Sequence, residues 1–89
     1  MYKYYDIKPN ILTDEGQRLF LKIRDKTQKL LKESGSARSQ EMMTGNSGSS
    51  WDFLACIDRM VELGEIREIT KQGEVAGQHR VFVNARYEG

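Results

Sequence analysis

Histidine and cysteine, the side chains that most often carry nucleophilic or metal chemistry, occur once each, as His79 and Cys56. A zinc site of the usual kinds needs four such ligands, so none can be assembled within the chain. Cys56 falls at the edge of an apolar helical stripe and reads as an inert core thiol. His79 follows a glycine-containing turn, on a strand beside Arg80, and reads as a passive surface residue. The glycine-rich stretch GNSGSS at 45–50 is not followed by Gly-Lys-Ser/Thr, so it has no phosphate-loop signature. The acidic residues form no recognisable acid/base pair, and no nucleophile has a base at hand. The sequence therefore predicts no catalysis, no metal, no cofactor and no small-molecule substrate.

What remains is binding, and SSWDFLACIDRMVELGEI (49–66) concentrates the candidates. At 100° per residue, Ile57, Met60 and Gly64 fall within about 40° of Phe53 and form the expected buried face. Trp51, Ala55, Asp58 and Glu62 make the opposite face, flanked by Asp52, Leu54 and Arg59. The only tryptophan thus stands on the polar side of its helix.

The elements that would position this helix follow from periodicity. In residues 1–11 three tyrosines precede Pro9, which argues against a continuous helix and for an edge strand or extended arm. Thr13 is a good cap for a first helix over 13–34, with Asp14 and Glu15 where the dipole favours anions. Leu19, Phe20, Ile23, Leu30 and Leu31 give it an apolar stripe, and Gly35 ends it. Residues 36–44 read as a second helix with Met42 and Met43 as core filler. The third helix occupies 50–63, capped by Ser49 or Ser50 and stopped by Gly64. IREIT and HRVFV, separated by KQGEVAGQ, then make a β-hairpin over 66–84.

Composition agrees with a single small domain. The 89 residues, 38% hydrophobic and 30% charged, suit an ordinary globular chain that buries about 60–65% of its unfolded surface. No apolar run approaches a membrane span, and MYKYYDIK lacks the apolar core of a secretory leader. A lone cysteine admits no internal disulfide, so the expected location is the reducing cytoplasm. The net charge of +1 is unevenly spread. Residues 1–35 hold eight basic against five acidic side chains, 36–65 two against five, and 66–89 four against three.

IDRMVELGEIREI (57–69) resembles the last helix and first hairpin strand of winged helix-turn-helix domains, with HRVFV where the returning wing strand would lie. The likeness extends over residues 13–85, although TGNSGSS is longer and richer in glycine than the usual tight turn. It implies an α+β winged helix: three helices, a two-stranded wing and an additional N-terminal strand. It also implies double-stranded DNA as the leading partner, with the third helix in the major groove and the wing along the backbone.

On that reading Ser50, Asp52, Leu54 and Ala55 would meet bases. Ser49 and Ser50 at the helix N-terminus would hold a phosphate, and Arg38, Lys71 and Arg80 would supply positive charge. No Lys or Arg lies on the base-facing positions. The competing reading is a protein–protein contact through Trp51, Leu54 and Asp58, homodimerisation included, since tryptophan is enriched at the energetic centres of interfaces. A third basic feature, Arg18, Lys22, Lys29 and Lys32 on the first helix, is interrupted by Asp25 and Glu33 and reads as a solvated face.

Overall fold

A computed structural model describes residues 1–71 and 73–86. The chain runs α1 (Tyr4–Ile11), α2 (Asp14–Ser34), β1 (Ser36–Arg38), α3 (Ser39–Met43), α4 (Ser50–Glu62), β2 (Ile66–Glu68) and β3 (Val81–Asn84). A 3₁₀ turn at Gly77–His79 precedes β3. The architecture is α+β, with four helices and a three-stranded antiparallel sheet in the order β1-β3-β2.

Local chemistry sets the helix ends. Thr13 is extended, and its hydroxyl accepts the Gly16 N–H at 3.0 Å, satisfying a donor that α2 would otherwise leave free. Gly35 closes α2 in the left-handed region at φ 79°, its N–H returning to the Leu31 carbonyl at 2.9 Å. Ser49 caps α4 by accepting the Trp51 N–H at 3.2 Å. Phe53, Ile57 and Met60 are buried, as is Ile66 where the chain enters β2. They join Phe20 and Ile23 of α2, Met42 of α3 and Phe82 of β3 in one core. Phe82 stands opposite Ala37 on one side and Glu68 on the other, and is fully buried.

Three elements differ from the sequence expectation. Residues 4–11 form a helix rather than an arm or edge strand. Pro9 is the sixth residue of only eight, so it costs one internal bond close to the helix end, and α1 gains packing against α2 and α4 in return. Residues 36–38 are a strand, not the start of the second helix, which shortens to Ser39–Met43. Ser-Ala-Arg has no strong strand propensity, and pairing with β3 decides its conformation. His79 lies in the 3₁₀ turn, one residue before extended backbone, rather than on the strand.

The α1–α2 corner is the tightest backbone approach. A Cβ on Gly16 would lie 2.4 Å from Ile11 Cα and 2.6 Å from the Asn10 carbonyl oxygen. Both are backbone atoms and cannot swing away. Gly16→Ala is therefore expected to cost about 1–3 kcal/mol by overpacking. Urea unfolding gives the loss, and hydrogen exchange should show it falling first on the α1 amides.

Candidate functional site

α4 is enclosed more fully than its periodicity indicates. Trp51, Ala55, Asp58 and Glu62 share one face within about 60°. The N-terminal segment lies across that face. The Tyr2 hydroxyl donates to Asp58 Oδ2 at 2.6 Å, the Tyr4 hydroxyl donates to Glu62 Oε1 at 2.7 Å, and Lys8 Nζ donates to Glu62 Oε2 at 3.0 Å. Beneath them Ala55 retains no exposed surface. Leu54, expected outside, is buried as well. It packs under the 3₁₀ turn, where a Cβ on Gly77 would come within 3.2 Å of its Cδ1. A wheel drawn against one packing partner misses this because α4 has several, among them α1, α2, α3 and the segment before β3.

Arg80 and Asp58 are likewise turned inward. Arg80 Nη2 donates to Asp58 Oδ1 at 2.6 Å and to Glu68 Oε1 at 3.0 Å, while Nε donates to Glu68 Oε2 at 3.1 Å. The guanidinium carbon lies 5.0 Å from the centre of the Phe82 ring. With 16% of its side chain exposed, Arg80 has no fork left for a phosphate. Glu68 also accepts the Thr70 hydroxyl at 2.6 Å. Burial alone would raise the Glu68 carboxyl, but the bonds from Arg80 and Thr70 outweigh it and hold the group below the ordinary carboxylate value. Burial and the Asp58 carboxylate push the Tyr2 phenol upward, so it remains a donor throughout the ordinary pH range.

A second cluster secures the other end of the face. Glu62 accepts from Lys8, Tyr4 and Arg59, and these bonds hold its carboxyl at about 2. Cys56 is wholly buried, and desolvation, with Asp52 nearby, pushes its thiol up to about 12. A thiol in that state is not a nucleophile at neutral pH.

The exposed part of the proposed surface is what remains. Trp51 keeps 43% of its surface open, with the Tyr2 ring set edge-on at 6.5 Å between centroids. The N-terminal tyrosines thus reach the indole without burying it. Ser49 and Ser50 are exposed, and Asp52 is half-buried. Arg38 and Lys71 are exposed as well, in loose pairs with Glu41 at 3.8 Å and Glu74 at 4.0 Å. Of the three cations expected on phosphate, two remain available and Arg80 does not.

No family model, curated protein or solved structure matches this chain. Among the described residues no helix is long and apolar enough to cross a membrane.

The tyrosine-rich N-terminal segment is readable as a cover for Trp51, but sequence reasoning missed the pairing of Tyr2, Tyr4 and Lys8 with the acids of α4 and of Glu68 with Arg80. The one signal was the density of hydroxyl-bearing aromatics before Pro9, which marks an amphipathic segment without naming its partners.

Removing the Arg80 charge would leave Asp58 and Glu68 half-buried without their cation. Arg80→Gln is expected to cost about 3 kcal/mol at pH 7, the lower end for a broken buried pair because all three groups keep some water. A carboxyl whose pKa is lowered on folding stabilises above its unfolded value, and that stabilisation is lost as pH falls through the lowered one. Denaturation followed against pH should therefore show the wild-type advantage narrowing as pH falls below the ordinary carboxylate range.

Proposed function

We propose that this chain is a non-enzymatic, winged-helix-like domain that works as a protein-interaction module, with Trp51 as its anchor. The element order supports the fold reading: a strand, a short helix and a longer helix precede a hairpin that pairs with that strand. One observation carries the functional reading. The outward face of α4, which a groove reader would lay against bases, is occupied by the chain's own N-terminal segment, and only Trp51 and the helix start stay open. Tryptophan is enriched at the energetic centres of interfaces, and a rigid indole anchors them at low entropic cost. The buried Cys56 thiol suits a reducing compartment such as the cytoplasm.

Duplex DNA is the second reading, favoured by the exposure of Arg38 and Lys71. Anisotropy with a random-sequence duplex at about 50 and about 200 mM salt separates the two. The expected result is no binding tighter than about 100 µM, the weak end of the non-specific range. Micromolar binding that falls steeply with salt and weakens in Arg38→Ala/Lys71→Ala would overturn the protein-interaction reading. In cells, a photoreactive side chain in place of the exposed Ser50, next to Trp51 in the chain, is expected to yield protein adducts that disappear with Trp51→Ala. Nucleic-acid adducts would count against it.

A further inference from the structure

The N-terminal segment is held differently on the two sides of Pro9. Behind it, Ile11 is buried at the bare backbone of Gly16. Gln17 Nε2 donates to the Ile11 carbonyl at 2.8 Å, and the Thr13 hydroxyl donates to the Asn10 carbonyl at 3.1 Å. This end is fixed to α2. Ahead of Pro9, none of residues 1–8 is buried: Tyr2, Tyr4, Ile7 and Lys8 are half-buried and the others exposed. Lys3 gives α1 no side-chain cap. Pro9 has no N–H to return to the Tyr5 carbonyl, so the helix ladder is interrupted where the two parts meet.

The acids that the outer part grips keep partners without it. Asp58 retains Arg80 at 2.6 Å when the Tyr2 hydroxyl leaves, and Glu62 retains Arg59 at 2.6 Å when Tyr4 and Lys8 leave. Neither departure strands an unpaired buried charge, which is the large cost of breaking such contacts elsewhere. It would uncover Ala55, now without exposed surface, and the edge of Trp51 that faces Tyr2.

We infer that residues 1–8 are an autoinhibitory latch, which opens about Pro9 while the rest of the domain stays folded and extends the docking face of Trp51 to Ala55. The use of that face rests on the protein-interaction reading, whereas the opening is a property of the free chain.

Native-state hydrogen exchange of the full chain tests the opening. The Ile7 amide is expected to exchange through a local event with little urea dependence, while the Gln17 amide and those of 56–60 exchange only with global unfolding. Ile66→Val, in β2, should lower protection at 56–60 and leave Ile7 unchanged. Tyr4→Phe/Lys8→Gln should speed exchange at Ile7 roughly tenfold, the effect of removing two hydrogen bonds. Equal protection at Ile7 and 56–60, or an equal loss at both in Ile66→Val, would overturn the latch and leave the Trp51 reading standing.

Acrylamide quenching of the single tryptophan tests the uncovering. In Tyr4→Ala/Lys8→Gln, where Tyr2 and Trp51 are intact, the quenching constant is expected to rise toward about twofold as the open fraction grows, since 43% of the residue is already open. An unchanged constant in a variant whose Ile7 amide has lost protection would overturn the inhibitory role. If the Ile7 amide opens as expected but no Trp51-dependent protein adduct forms in cells, the interaction reading falls and the latch does not.

Discussion

The guanidinium of Arg80 is the point on which the outer half of this domain is organised. It joins three segments at once, reaching from the residue just before β3 to Asp58 of α4 and Glu68 of β2. One cation between two carboxylates leaves an excess negative charge, and the hydroxyls of Tyr2 and Thr70 offset it by donating to the two acids. A buried ion pair is weak evidence for net stability, since desolvation consumes much of the Coulombic gain. Its stronger effect here is on geometry. The forked donor accepts few arrangements of its partners, so the hairpin, α4 and the N-terminal segment are held in one mutual orientation. Stacking on Phe82 carries that constraint into the core.

Much of the scaffold was legible because it rests on local chemistry. Thr13, Gly35, Ser49 and Gly64 are positions where backbone donors or left-handed geometry demand particular residues, and the helix ends fall on them. Periodicity likewise located Phe53, Ile57 and Met60. The unreadable parts depend on partners distant in sequence. β1 exists because β3 is there to pair with it. α1 holds despite Pro9 because Ile11 closes against the bare backbone of Gly16, and Tyr4 of the helix and Tyr2 just ahead of it find acids more than 50 residues away. A short helix in isolation would be marginal, and no window of its own sequence could reveal the docking that sustains it.

The candidate site was misjudged for a related reason: composition counts charges, whereas structure pairs them. The middle third of the chain is acidic on paper. In the fold, Glu41 faces Arg38, Asp58 meets Arg80, Glu62 gathers Lys8 and Arg59, and Glu65 binds Arg24. Asp52 is the acidic residue of that stretch without an ion pair among the described residues. The objection to groove reading by α4 therefore changes in kind. Electrostatic repulsion is largely cancelled inside the molecule, and what stands in the way is the N-terminal segment itself.

The position of Trp51 follows from the same enclosure. Along the edge of α4 that faces the hairpin, Asp58 is covered by Arg80 and Leu54 by the 3₁₀ turn, each roof lying one helical turn before the last. Trp51 stands at the open end of this row, where the roof has run out and only the edge of Tyr2 remains. A polar residue there would cost the fold little, because the core is complete without the indole. Fixing a large aromatic at the rim, with one ring already beside it, leaves apolar surface that water does not reward. The gain from covering it is open to whatever second surface carries an apolar group to that corner. That asymmetry, a complete core beneath an incomplete roof, is the physical basis for placing recognition at the start of α4 rather than along its length.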